Sequence, residues 1–449
     1  MKRCRTLRNL GVVSLSIMWV TLLLVPGAGA QSKYKTLYKF RSGAGGRFPS
    51  GLIFDQSGNL YGTTVKGGAN GFGTVFKLTP NSHGSWTESV LYSFCSLTNC
   101  ADGDSPLAGV IFDGAGNLYG TTAGGGDFSR CGGGGCGVVF KLTPSSGGSW
   151  TESVLYSFCS LNRCVDGAGP ESGVIFDQTG SLYGTTVIGG SSSASACNNL
   201  GCGTVFKLIP GSDGSWTESV LHSFCSFTNC ADGKSSFASV IFDGAGNLYG
   251  TTSEGGNLSQ CPDFGCGVVF ELTPNADGSW KEEILHIFTG GKDGAVPENS
   301  LLFDGSGNLY GTAHLGGNLT QCGGFNCGVV FELTPDSHGS WKETVLHSFA
   351  GGDGSGPFAS LAFDKAGNLY GTTLLGGDLS LCGGSGCGVV FELTPNSNGG
   401  WNETVLHRFL DHPGAAPYAG VILDAAGDVY GTTSGDRSTT FGSVFEITP

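Results

Sequence analysis

An all-β fold, a seven-bladed β-propeller built from four-stranded antiparallel blades, is what this chain predicts, on three observations. The first is a motif, Asn-Leu-Tyr-Gly-Thr-Thr at 117–122, which recurs with small changes at Tyr61, Tyr119, Tyr183, Tyr249, Tyr310, Tyr370 and Tyr430, in steps of 58 to 66 residues. The second is that every step contains four short apolar runs separated by glycine-rich turns, with no 3.6-residue period outside the N-terminus. The third is that the two ends of the chain each supply what the other lacks. Equal four-stranded units of this kind bury both faces of every sheet against their neighbours when arranged in a ring. A β-solenoid is the competing repeat fold, but its coils are much shorter than these units.

Residues 1–30 stand apart. Lys2, Arg3, Arg5 and Arg8 precede an apolar run from Gly11 to Val25 that ends in Ala28-Gly29-Ala30, the pattern of a cleaved secretory signal peptide. Cys4 precedes the run, whereas a lipid-anchoring cysteine would sit at the cleavage point. A secreted or periplasmic protein is expected, with no membrane span in the mature chain. Without the leader, 18 basic residues face 36 acidic ones, a net charge of −18. That balance argues against nucleic acid and anionic membranes as partners.

Residues 31–449 are expected to form one domain, with blades near 49–94, 106–158, 170–224, 236–288, 297–349, 357–409 and 417–449. In the second unit, Gly109–Asp113 reads as the inner strand, Asn117–Thr122 as the second, Gly137–Pro144 as the third and Trp150–Phe158 as the outer. The glycines of Gly114-Ala115-Gly116 and Gly147-Gly148 mark tight hairpins. Residues 33–40 match the end of an outer strand, and Gly442–Pro449 is a third strand with nothing after it. The N-terminal strand is therefore expected to complete the seventh blade and close the ring.

Repetition also tells against several candidate chemistries. Glu88, Glu152, Glu218, Glu282, Glu343 and Glu403 share one register of the Trp-led outer strand, where a charge is expected to guard an exposed edge. His222, His286, His347 and His407 take the register of Tyr92 and Tyr156 and read as half-buried, aromatic-like strand residues. Asp55, Asp113, Asp177, Asp243, Asp304, Asp364 and Asp424 end the inner strands and are expected to bond the backbone of their own turns. The six tryptophans of the mature chain all start outer strands and are expected to pack structurally.

The units resemble the GloVer (Gloeo/Verruco) tandem repeat of secreted bacterial proteins. Asp353-Gly354, Pro357, Asp364, Gly367–Thr373, Gly376-Gly377 and Val389–Leu393 reproduce its pattern in order. They are distantly similar to NHL-type propeller blades, where D-x-x-G-N-x-Y likewise joins the first two strands. Neither resemblance implies an activity. The GloVer repeat is often followed by a C-terminal surface anchor, which is not expected of a chain whose last residues are those of a blade.

The mature chain carries 16 cysteines in eight pairs, each with four residues between its members. Cys95/Cys100, Cys159/Cys164 and Cys225/Cys230 lie in links between blades. Cys131/Cys136, Cys197/Cys202, Cys261/Cys266, Cys322/Cys327 and Cys382/Cys387 lie between second and third strands. Both loop types emerge at the same end of an up-and-down sheet, so all the cysteines are expected on one face. In an exported chain they read as disulfides stiffening glycine-rich loops, with local pairing favoured over exchange between neighbouring pairs. Zinc is the alternative reading, disfavoured by the spacing and by the lack of nearby histidines. Blades 1 and 7 have the shortest such loops, Lys66 to Phe72 and Ser434 to Phe441, and these lack cysteine.

A face stiffened in this way is the expected binding face. Asp102, Asp166, Asp232, Asp293 and Asp353, each followed by glycine, read as turn residues or as a carboxylate ring able to hold Ca²⁺. No other cofactor is expected. An active site has to break the repetition, and His314, Asp411-His412, Arg130, Glu171, Glu254 and Glu298 are the singular ionisable residues of the loop face. His314 and His412 join the five aspartates as candidate ligand-binding residues. No G-x-S-x-G elbow or H-E-x-x-H motif is present. The expected function is thus non-catalytic: a monomeric module binding an extracellular carbohydrate, envelope component or protein through its cysteine-rich face. The alternatives are a metal-dependent carbohydrate-active hydrolase or lyase over the central channel, and a cell-surface structural array.

Overall fold

A computed structural model describes residues 32–449 apart from 42, 129–130, 132, 192–196, 198–199, 262–263, 323–326, 411–413 and 436–440. The expected signal peptide, with Cys4, lies outside the described residues. Ser32–Pro449 form one compact unit, and among the described residues no helix is long and apolar enough to cross a membrane.

The chain folds into seven four-stranded antiparallel sheets. In blade 2 the strands are Ile111–Phe112, Leu118–Thr122, Val138–Pro144 and Trp150–Ser157, paired in that order. The inner strands of blades 2 to 7 keep ladder geometry over only two residues. The residues just before them leave the sheet and line a cavity on the ring axis.

The ring closes as the chain ends predict. Lys33–Lys39 pairs antiparallel with Ser443–Thr448, from Lys33 opposite Thr448 to Lys39 opposite Ser443. It is the outer strand of blade 7.

The hydrophobic core is divided into layers, one between each pair of neighbouring blades. A phenylalanine at the end of each outer strand meets, edge to face, the third-strand phenylalanine of the next blade. Phe94–Phe140, Phe158–Phe206 and Phe224–Phe270 have ring centroids 5.0, 5.0 and 5.2 Å apart. The contact crosses the seam unchanged, with Phe409–Phe445 at 5.3 Å and Phe40–Phe76 at 5.1 Å. Such pairs add about 1 kcal/mol each beyond the area they bury.

Each residue of the recurring motif has a task in this packing. Leu118 is fully buried, and the ring of Tyr119 packs edge-on against Phe176 of the next blade, 4.9 Å between centroids. Trp216 of that blade approaches Tyr119 from the outside, at 6.5 Å. The first threonine reaches across the blade boundary: Thr63 Oγ1 donates to the Ala108 carbonyl at 2.7 Å, Thr121 to that of Ser172 at 2.6 Å and, across the seam, Thr432 to that of Ser50 at 3.2 Å. The aspartate before the motif clamps its turn as expected. Asp113 Oδ1 accepts from the Ala115 and Asn117 amides, each at 2.9 Å, while Oδ2 accepts from the Asn117 side chain and Tyr119 Oη.

The glycine is required for a reason internal to the blade. Gly371 pairs with Phe391, and a β-carbon at Gly371 would lie 2.5 Å from Phe391 Cζ and 3.0 Å from Leu361 Cδ2. Substitution G371A is expected to cost about 1–3 kcal/mol by overpacking. Denaturant melts check this, with G305A, whose added methyl meets open space and whose φ is not positive, measuring the glycine-to-alanine backbone effect without the clash.

Candidate functional site

All 16 cysteines pair locally, as eight disulfides. Link and hairpin pairs are neighbours at one end of the ring: the sulfurs of Cys131, Cys136, Cys159 and Cys164 lie within 4.8 Å of one another, as do those of Cys197, Cys202, Cys225 and Cys230.

The placement of the cysteines corrects one expectation. Stiffened surface loops would hold them on an open binding face, yet Cys136, Cys202, Cys266, Cys327 and Cys387, the second members of the hairpin pairs, are at most 1% exposed. They belong to the packed layers between blades, and none lines the axial cavity. The reason is their place in the chain. Each directly precedes the glycine that leads into a third strand, where the backbone has already turned into the blade. Their carbonyls accept from amides at the start of the next blade: Cys266 from Val296, Cys327 from Gly356 and Cys387 from Ala416, each at 2.9 Å. In the links, Cys100, Cys159, Cys225 and Cys230 are buried as well. The disulfides therefore anchor the loops into the core, and what is left to meet a ligand is the rest of the loop.

The five aspartates of the expected carboxylate ring hold the links together. Asp102 is fully buried, and its Oδ2 accepts from the Ser96 amide at 2.8 Å, from Ser96 Oγ and from Tyr92 Oη, while Oδ1 accepts from the Leu97 amide. Asp166 and Asp232 repeat this pattern with Ser160 and Ser226. Asp293 bonds Thr289, and Asp353 bonds the Ala350 amide and His347 Nε2. These bonds accompany three non-glycine residues in the left-handed region in each cysteine-bearing link, at Cys95, Asn99 and Cys100 for example. Each such residue costs about 1 kcal/mol. None of the five aspartates lines the axial cavity.

The outer-strand glutamates differ from expectation. They are turned into the boundary between blades, facing the Tyr or His of the preceding blade and the link aspartate beside it. Tyr38 Oη donates to Glu88 Oε2 at 2.8 Å, and His222 Nε2 lies 3.5 Å from Glu282 Oε2. Burial pushes the carboxyls of Glu152 and Glu218 up to about 8 and that of Glu282 up to about 9, with the neighbouring aspartate adding to the effect. An alternating outer strand has one face open and one against the next blade, and sequence does not say which face a given register takes. The four histidines are as expected: His407, for example, stacks on Tyr34 at 3.9 Å and meets Phe409 edge-on at 4.9 Å.

The axial cavity has a volume of about 890 Å³ and lies at the cysteine-bearing end, framed by the starts of the inner strands and the loops after the second strands. Small residues floor it, with Gly51, Gly109, Gly173, Ser239, Ser300, Ser360 and Gly420 at one register. Two residues earlier the blades diverge. Leu107, Glu171, Phe237, Glu298, Phe358 and Tyr418 occupy that place in blades 2 to 7, while blade 1, one residue shorter here, offers Phe48 and Ser50. The wall is therefore aromatic on one side and carboxylic on another.

Its electrostatics follow from enclosure. Burial raises the Glu171 carboxyl, and burial together with the like charges of Glu171 and Glu254 pushes that of Glu298 up to about 7. Burial keeps His314 below its ordinary value and hence neutral, its ring edge-on to Phe358 at 5.3 Å. Phe358 in turn lies 4.4 Å from Tyr418, which is 44% exposed. Of the singular residues of the sequence, Glu171, Glu298 and His314 line this cavity, and Glu254 pairs with Lys234 at 2.8 Å. His412, Asp411 and Arg130 lie outside the described residues. Phe237, Phe358 and Tyr418 escape a search for ionisable groups. The signal that finds them is variation: they hold the most variable register of a four-residue string that elsewhere departs from Pro-x-Ala/Ser-Gly/Ser only at Ser236, at Asn299 and in the shorter blade 1.

A family profile described as the Gloeobacter/Verrucomicrobia repeat matches residues 27–198, 92–325 and 263–449. The chain belongs to this repeat family. No curated protein matches it. Among solved structures, the extracellular domain of BT4673 from B. thetaiotaomicron is similar at a TM-score of 0.49 and 12% identity, over 92% of this chain. The repeat protein spans only 40% of the length of that BT4673 chain, and 39% in a second structure of the domain. The PQQ-bound aldose sugar dehydrogenase of Streptomyces coelicolor is similar at a TM-score of 0.41 and 11% identity, over 93% of this chain and 98% of the enzyme. At these identities neither bears on ligand or chemistry.

Proposed function

We propose that this repeat protein is a carbohydrate-binding module of an oxidising, extracytoplasmic compartment, and that its ligand enters the axial cavity. The observation that carries the reading is the break in symmetry at the cavity wall: the register that varies most among the blades holds three aromatic rings and two carboxyls. Aromatic rings offer apolar surface to the C–H face of a sugar, and carboxyls accept from its hydroxyls. The volume falls within the range of small-molecule sites. A net charge of −18 in the mature chain disfavours acidic saccharides. Eight disulfides support the compartment.

A screen against neutral and amino-sugar oligosaccharides, followed by calorimetry on the best of them, tests this. Binding is expected without turnover, weakened about tenfold or more by Y418A, the equivalent of 1.4 kcal/mol. Release of reducing ends in the same samples would instead make the protein a hydrolase. Absence of binding, or binding indifferent to Y418A and E171Q, would overturn the reading.

A further inference from the structure

Away from the axis, at the boundary between blades 3 and 4, three donor atoms of three different kinds of residue converge. His222 Nε2 on the outer strand of blade 3 lies 3.5 Å from Glu282 Oε2 on the outer strand of blade 4 and 3.6 Å from Asp232 Oδ2 in the link between them. All three atoms lie within 4.8 Å of one another. Those separations are too long for hydrogen bonds. His222 Nε2 and both carboxylate oxygens of Glu282 have no hydrogen-bond partner, although the Glu282 side chain is only 3% exposed.

A buried, unpartnered carboxylate beside a second one costs several kcal/mol unless a proton or a cation neutralises it, and a cation between them would satisfy both carboxylates and the imidazole at once. At other boundaries one oxygen of the equivalent glutamate is likewise unpartnered, whereas Glu282 lacks a partner on both, and at three of them the link aspartate is met more closely. In blades 1 and 2 the residue at the His222 register is a tyrosine, and Tyr92 and Tyr156 donate to Asp102 and Asp166 at 2.7 and 2.8 Å. Between blades 5 and 6, His347 Nε2 sits 3.1 Å from Asp353 Oδ2, close enough to bond it directly. Among the described residues, His222 is the histidine with two carboxylates within 4 Å of its ring nitrogen.

We propose that His222, Asp232 and Glu282 bind a divalent cation of the zinc class, which ties blade 3 to blade 4. Donors about 2.0–2.1 Å from a tetrahedral ion stand roughly 3.3–3.4 Å apart, close to the separations here. An imidazole together with two carboxylates suits zinc and its neighbours, whereas calcium and magnesium take oxygen alone. The Ser226 amide and hydroxyl, bonded to Asp232 Oδ2 at 2.7 and 2.8 Å, hold that carboxylate in place for the ion. Water completes the coordination. The Cys225–Cys230 disulfide closes the same link, so covalent and metal staples are neighbours at the stiffened end of the ring.

The test uses the full mature chain, disulfides intact, stripped with EDTA and titrated with ZnCl₂. Calorimetry is expected to show one equivalent bound with a micromolar or tighter constant, and Tm is expected to climb with zinc concentration. H222Y, which installs the residue of blades 1 and 2, is expected to fold and to lose that equivalent. E282Q, which removes an anionic metal ligand without changing shape, is expected to weaken zinc at least tenfold while leaving metal-free Tm equal to or above that of the natural chain. Failure of the natural chain to bind zinc, a preference for Ca²⁺, or retention of the full equivalent by H222Y would each overturn the proposal.

Discussion

Removal of residues 32–40 is expected to abolish cooperative folding, although it takes away only one strand of one blade. That strand supplies six paired positions to the last strand of the chain, and it buries Leu37 and Phe40. Phe40 is the partner of Phe76, and Tyr38 Oη bonds Glu88, so the loss opens blade 7 and strips one layer from blade 1 together. Large aromatic truncations in a core cost about 3–5 kcal/mol each, and two layers fail at once. The deleted chain is expected to melt broadly or to aggregate, by circular dichroism and size-exclusion chromatography. Restoring the segment at the other end separates closure from mere chain length. Pro449 followed by a copy of the Asn81–Ser85 turn and then residues 32–40 recreates the hairpin that blade 1 already contains between its third and outer strands. That permutant is expected to melt within a few degrees of the natural chain. A deletion that melts as sharply and as high as the natural chain would show that the seam is dispensable.

Metal-free protein is expected to be most stable near pH 4–5 and to lose stability toward pH 9, against the usual preference for neutrality. The cause is the set of glutamates between blades. Burial raises Glu403 to about 6, Glu343 to about 7, Glu152 and Glu218 to about 8, and Glu282 to about 9. Unfolded, each titrates near 4.3. A carboxyl raised on folding contributes stability that is complete below the unfolded value and is lost as pH climbs through the folded one. Each loss begins near pH 4.3 and is complete at the folded value, so the five together extend over about pH 4–9. On the acid side, burial lowers His407 to about 4, so its contribution is present above about 6.5 and disappears as pH falls toward 4. The buried Asp232 and the half-buried Asp293 and Asp353 are lowered as well, their burial outweighed by hydrogen bonds, and their contribution is lost in acid. Tm is expected to fall by about 5 °C or more between pH 5.5 and 9 in EDTA. E218Q is expected to make the fall shallower between about pH 4.5 and 8. A Tm that rises across this interval would contradict the buried placement of these glutamates.

The wheel was legible because its evidence is redundant. Seven copies of one motif fix blade number, and the unmatched runs at 33–40 and 442–449 fix closure. Local chemistry was legible where a residue acts on its own turn, as Asp113 does, or on a partner five residues away, as in the local pairing of Cys261 with Cys266. What could not be read is how one blade faces the next. Glu152 looks like an edge charge because its strand alternates, yet both faces of a propeller blade meet protein. Cys266, Cys327 and Cys387 look like surface staples because glycine surrounds them, yet the neighbouring blade closes over each. The aromatic side of the cavity was missed for a related reason: Phe358 and Tyr418 are ordinary core residues by type, and only the axis of the ring gives them a place. Glycine at 371 gives no hint in the sequence of what it admits, the ring of Phe391 in its own blade.

Closure by the N-terminal strand also sets a timetable. Lys35 and its partner Glu446 are 411 residues apart. At the pace of synthesis, about 5–20 residues per second, the first strand waits on the order of 20–80 s before the edge it completes has been made. Throughout that interval it is a free strand beside six blades' worth of folding sheet, at risk of pairing with whichever edge is open. Lys33, Lys35 and Lys39 alternate along it and stay exposed in the finished ring. Regularly spaced lysines are how strands refuse the wrong neighbour, so the segment that seals the wheel last carries its own protection against sealing it early.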